Sequence, residues 1–252
     1  MSAPQKGNGY GAIDEERQAS EANGRGGEEH MEEVSIVSDI VLGMSDGFTV
    51  PWALSAALSQ TGVGSKYVVI AAIAELAAGA VSMGLGGYLS GRTEVQHYRA
   101  ERAREEREVV ETPLEEEQEI YDILMPYGLE KEHVAKIMEH FRAHPEKWVE
   151  FMMRFELGME RPDKHKPLKS ALCVGGGYVV AGLVPTLPYV LFADSMIAFK
   201  ISCVVTLISL LVFGVVKAHV TGAPRLWSSL ETALVGVVAC CAAFFISKQF
   251  SA

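Results

Sequence analysis

The chain has 252 residues, 49% hydrophobic and 21% charged, with a formal net charge of −10 and a mean hydropathy of +0.16. A chain both this apolar and this charged must keep the two populations apart, and 14 of its 22 Lys/Arg and 19 of its 32 Asp/Glu indeed fall between Arg92 and Lys169. Neither that stretch nor the tail ahead of Val34, with three basic and eight acidic residues, carries the positive excess that suits nucleic acid, so nucleic acid is excluded as a partner and cations are favoured.

Residues 1–33 are rich in Gly, Glu, Ser and Asn and contain no apolar h-region, so they read as a disordered cytosolic tail and not as a cleavable signal peptide. A membrane-spanning helix needs about 20 mostly apolar residues. Val34 to Leu58 qualifies but carries Asp39 and Asp46; Tyr67 to Ser90 qualifies but carries Glu75. A mid-membrane charge costs roughly 2.5–3.5 kcal/mol on insertion scales, so these acids need a reason to be there. The second span has no stop: Glu94 to Glu111 continues in strong helix formers until Pro113, which predicts one long helix leaving the membrane. Short helices are expected over Leu114–Met125, Lys131–Ala143 and Pro145–Leu157, separated by Pro126-Tyr-Gly and His144-Pro. Three clean spans follow, Leu168–Phe192, Met196–Val220 and Leu226–Phe250. Cys173, Cys203, Cys240 and Cys241 all sit in apolar runs without CxxC spacing and read as packing residues.

The expected fold is an all-α membrane protein of five transmembrane helices, with a helical cytoplasmic insert between the second and third. Its parts are a tail over 1–33, two spans over 34–91, the insert over 92–167 and three spans over 168–252. Basic residues set the orientation: Arg92, Arg99 and Arg102, then Lys164, Lys166 and Lys169, then Lys217 and Arg225 mark three cytosolic loops. The amino terminus is therefore expected in the cytosol and the carboxy terminus across the membrane.

Asp39 and Asp46 lie seven residues apart, about two helical turns, on one stripe of the first span. In the second span Glu75, Gly79 and Met83 recur at i, i+4 and i+8. Ionisable groups so placed usually line an ion path or proton relay, and a thioether adds a softer donor suited to transition metals. The competing reading is an interfacial, solvated Asp39 and a packing Met83. In the insert, Glu105 and Glu108 precede Pro113 at i, i+3, and Glu116 and Glu119 follow it at the same spacing. Each pair is tolerable on a solvated face and becomes favourable when a cation bridges it. Met152, Met153 and Glu156 could join such a site, although Phe151 and Phe155 beside them equally suit a core helix. Glu94-Val-Gln-His97 has the E-x-x-H spacing of di-iron bundles, but it occurs once, without the repetition that makes that pattern specific. Gly175-Gly-Gly177 lies within an apolar span, where small residues usually serve close helix packing.

Ser38-Asp39-Ile-Val-Leu-Gly43-Met-Ser-Asp46-Gly47, then Ala74-Glu75-Leu-Ala-Ala-Gly79-Ala-Val-Ser82-Met83-Gly84, Tyr88-Leu-Ser90 and Gly182-Leu-Val-Pro185-Thr-Leu-Pro188 together resemble the vacuolar iron transporter family. The similarity covers nearly everything after Val34, in the family's order. It implies a homodimer of five-helix protomers that exports Fe(II) from the cytosol across the vacuolar membrane in exchange for protons. It also implies a translocation path through Asp39, Asp46, Glu75 and Met83. A cytoplasmic metal-binding domain would use Glu105, Glu108, Glu116, Glu119, Met152, Met153 and Glu156. No prosthetic group is expected; Mn(II), Co(II) and Zn(II) fit the same donors as Fe(II). Two other readings stay open on sequence: a membrane-anchored carboxylate ferroxidase, and a metal sensor or scaffold that transports nothing.

Overall fold

Helix ends fall where local chemistry puts them. Pro113 and Pro145 open helices at their first turn, where the missing N–H has no intrahelical role. Asp194 caps another by accepting hydrogen bonds from the amides of Met196 at 2.8 Å and Ile197 at 3.1 Å. Gly222 closes that helix at φ 69°, a left-handed conformation that a side chain would oppose. The computed structural model describes the backbone of residues 10–250 and the side chains of residues 35–250, and among them it contains helices and no strand. The order is α1 (Tyr10–Ser59), α2 (Ser65–Glu111), α3 (Pro113–Leu124), a 3-10 turn (Met125–Tyr127), α4 (Lys131–Ala143), α5 (Pro145–Phe155), α6 (Lys166–Leu191), α7 (Ser195–Thr221) and α8 (Arg225–Phe250).

Two features bear on these expectations. The backbone is helical from Tyr10, so no helix break marks the tail boundary expected at Val34; the first nine residues of that tail lie outside the described residues. The stretch 10–33 has Glu and Ala in number and no Pro, and nothing in it forces a helix to stop. Length and apolarity also single out four helices able to cross a membrane, α2, α6, α7 and α8, and α1 is not among them. Ser38, Asp39, Ser45, Asp46 and Thr49 dilute its apolar run.

The chain divides into two compact units, one formed by the chain up to Leu85 together with the chain from Ser170 onward, the other by Gly86–Lys169. In the first, Phe48, Trp52 and Ala56 of α1 pack with Ala181, Leu210, Phe213 and Cys240. Large apolar side chains such as Leu172, Val180, Leu187, Ile208, Val212 and Leu234 stay exposed on its outer surface. Water would oppose that arrangement and lipid suits it. The glycine triplet of α6 divides the packing between neighbours: a Cβ on Gly175 would press on the Ala80 carbonyl of α2 at 3.0 Å, one on Gly177 on the Ile40 carbonyl of α1 at 3.2 Å, and one on Gly176 would meet nothing. Backbones can therefore approach closely on two sides of one helix.

The second unit is built on Val109, Ile120, Val134, Met138, Trp148, Val149, Met152 and Met153, all buried in one apolar cluster. Arg142 of α4 grips both oxygens of Glu117 on α3 at 2.6 Å each, a bidentate pair that sets these two helices against each other.

Candidate metal centres

Glu105 and Val109 of α2 are four residues apart, as are Glu116 and Ile120 of α3, so in each helix a glutamate shares the face of a buried aliphatic residue. Packing the aliphatics into the core draws the glutamates in with them: Glu105 is 1% exposed and Glu116 4%. Pro113 breaks α2 from α3, and the two acidic faces meet. Carboxylate oxygens of Glu105, Glu108 and Glu116 lie within 4.8 Å of one another, and so do those of Glu116, Glu119 and Glu156. Glu116 belongs to both triads. The Oε2 atoms of Glu105 and Glu116 are buried without a hydrogen-bond partner. A solvated helix face, the competing reading on sequence, does not bury acids in this way.

Five carboxylates this close repel one another in a partly dehydrated setting. Burial, then repulsion from Glu119 and Glu105, pushes Glu116 up to about 7. Glu156 also rises to about 7, through burial of its carboxyl and then the same two neighbours, although much of its side chain stays open to solvent. Glu105 is raised by burial and by Glu108, against the pull of Arg104. The site thus holds protons at neutral pH when empty, and a divalent cation would replace them. Oxygen donors in this number suit a hard or borderline divalent ion.

Met152 and Met153 lie in the apolar core of the unit, which is the packing role left open beside the ligand role. Met153, one turn before Glu156, shares its helical face. The E-x-x-H pair is engaged elsewhere: Glu94 accepts from Lys166 at 2.7 Å, and His97 Nδ1 lies 3.8 Å from Glu101.

In the first unit Asp39, Asp46, Glu75 and Met83 are all half-buried. Tyr178 of α6 donates a hydrogen bond from its hydroxyl to Glu75 Oε1, and Glu75 Oε2 is buried with no partner. Among the described residues, Asp39, Asp46 and Glu75 form no triad of acidic or histidine ligands like those of the second unit.

Residues 37–248 match the VIT family. The chain belongs to the vacuolar iron transporter family. It is 46% identical over 221 residues to Vacuolar iron transporter 1 of Arabidopsis thaliana, covering 88% of each chain. It is 42% identical over 233 residues to Vacuolar iron transporter 1 of Oryza sativa subsp. japonica, covering 92% of each. Protein CCC1 of Saccharomyces cerevisiae is 36% identical over 221 residues, 84% of this chain and 68% of that one.

In this member of the vacuolar iron transporter family, sequence reasoning passed over Tyr178, because its partner Glu75 is 103 residues away and on another helix. A trace was nonetheless present. Gly79, on the Glu75 stripe, leaves the space that the Tyr178 ring fills: a Cβ there would sit 2.6 Å from the phenol oxygen. Gly79→Ala is therefore expected to dislodge Tyr178 from Glu75 and lower the thermal midpoint of the purified protein by several degrees. Gly86→Ala, where a Cβ meets nothing, is expected to hold or raise that midpoint, since Ala is the better helix former by ~1 kcal/mol.

Proposed function

We propose that this chain carries Fe(II) from the cytosol into the vacuole in exchange for protons, and that Mn(II), Co(II) and Zn(II) bind the same donors. The observation that carries the metal reading is the pair of glutamate triads sharing Glu116, with buried oxygens that no protein group satisfies. The names of the similar plant proteins support iron as cargo and the vacuole as destination. In this reading α1 supplies a fifth span despite its polar residues, because Asp39 and Asp46 line the path and so avoid lipid. The insert, residues 92–167, and the amino terminus are cytosolic, and the carboxy terminus is lumenal, as the loop charges require.

The insert, using Glu105, Glu108, Glu116, Glu119 and Glu156 with Met152 and Met153 behind them, gathers the metal from the cytosol. Asp46 and Met83 coordinate it within the membrane, while Glu75 and Asp39 take and release protons. Exchange follows if the incoming metal and the protons compete within this one set of membrane carboxylates. A second copy of the chain brings a second Asp39/Asp46 stripe to the path. This adds carboxylates to a path where one chain forms no ligand triad among the described residues, and it is the reason to read the transporter as a homodimer.

The test is flux into proteoliposomes with an acidic interior, Fe(II) being supplied outside under anoxic conditions. Uptake that collapses when the pH difference is dissipated, with alkalinisation inside during transport, is the expected result. Uptake indifferent to the gradient would remove proton exchange. O₂ consumption coupled to Fe(II) oxidation would favour a ferroxidase, and tight binding without flux would favour a sensor.

A further inference from the structure

The glutamate cluster already contains a cation. Arg104 lies at its edge, with Nη2 3.3 Å from Glu105 Oε1 and Nε 3.2 Å from Glu108 Oε2. Both carboxylates belong to the first triad. The third contact is the shortest: Nη1 is 2.8 Å from Glu101 Oε2, one turn earlier on α2 and outside both triads. Among the three carboxylates Glu105 is the most enclosed, 1% exposed, against 20% for Glu101 and 39% for Glu108. The guanidinium thus donates hydrogen bonds to two carboxylates of the metal site, and Glu101, one turn earlier, offers a third anion within ion-pair distance whose Oε2 is buried without a hydrogen-bond partner.

Arginine keeps its charge at every accessible pH. A divalent ion reaching Glu105 and Glu108 would meet a fixed positive charge sharing those carboxylates. Either the ion is held more weakly or the arginine withdraws to Glu101. We propose that Arg104 is a resident counter-cation of the insert: it offsets the repulsion of the empty cluster, competes with the incoming metal for Glu105 and Glu108, and parks on Glu101 when metal is bound. It holds the affinity of the site below what its glutamates alone would give, which favours release over storage. This inference rests on the reading that the cluster binds metal, and Arg104 acts in it as a positioning residue, not as a ligand.

The full-length protein in detergent, titrated with Mn(II) and followed by the EPR signal of the free ion, separates the two. Loss of Mn(II) sites in Glu105→Gln/Glu116→Gln identifies the insert's share; if no sites are lost, the metal reading fails and this inference with it. With that share defined, Arg104→Gln is expected to bind Mn(II) about five-fold more tightly, the size of a ~1 kcal/mol ion pair. Glu101→Gln, which removes the parking place, should weaken binding by a similar factor in the parent and have no effect in the Arg104→Gln background. An arginine that merely braced the helix would give the opposite result, weaker Mn(II) binding in Arg104→Gln, and that or an unchanged affinity overturns the proposal. Should the Gln variant not fold, Arg104→Lys, which keeps the charge but loses the fork, is expected to bind Mn(II) more tightly than the parent; affinity at or below the parent's overturns it.

Discussion

Replacing Asp46 by Asn is expected to reduce proton-driven Fe(II) uptake by about two orders of magnitude while leaving metal bound to the insert unchanged. Asn matches Asp in shape, so the packing of α1 survives and only charge is lost. A divalent ion midway through the bilayer must be met by anions, and removing one partner of a buried charge pair costs about 3 kcal/mol, or about a hundredfold in rate. Asp39 cannot take over. Seven residues of helix place it roughly 10 Å further along α1. Asp46→Glu, which keeps the charge on a longer arm, is expected to retain part of the flux, and Glu75→Gln to uncouple uptake from the pH difference without abolishing it. Parental transport by Asp46→Asn would show that the proposed path runs elsewhere.

What could be read from the sequence divides along the range of the forces involved. The helices of the second unit were legible because their boundaries are local: Pro113, Gly128 and Pro145 act on their immediate neighbours, and α4 runs over Lys131–Ala143 as its pattern predicts. The apolar spans α6, α7 and α8 were legible for the same reason. Burial of Glu105 and Glu116 was harder to see, since an i, i+3 pattern of acids describes a wet face as well as a site. The aliphatic residue four positions after each acid was the overlooked signal, because it shows which way that face points. Tyr178 and Arg104 were out of reach for different reasons. The first depends on α6 meeting α2 through glycines, the second on whether a side chain in a run of mixed charge turns toward one carboxylate or several. At the amino-terminal end, composition points to disorder through Gly and Ser, while the backbone of α1 runs helical from Tyr10.

Glu116→Gln is expected to be the most damaging single change to metal binding by the insert, because Glu116 alone serves both triads, whereas Glu108 and Glu119 serve one each. Its loss should abolish the tight Fe(II) or Mn(II) sites at neutral pH, with Glu108→Gln and Glu119→Gln weakening one site apiece. The pH dependence follows from the raised pKa of Glu116 and Glu156, both about 7. Below that pH protons occupy the site, so parental affinity should climb between pH 6 and 8, by up to about tenfold per unit for each proton displaced, and then level off. Stability of the metal-free protein runs the other way. A carboxyl whose pKa is higher folded than unfolded stabilises the fold below its unfolded pKa, and that contribution disappears as pH rises through 7. The parent without metal should therefore unfold more readily at pH 8 than at pH 5. Gln cannot acquire the charge, so Glu116→Gln should be more stable than the metal-free parent at pH 8 and gain nothing at pH 5. A variant that binds metal worse and yet resists unfolding better at alkaline pH could not result from simple damage to the fold. It is the outcome required if repulsion among these glutamates is tolerated for the sake of the ion.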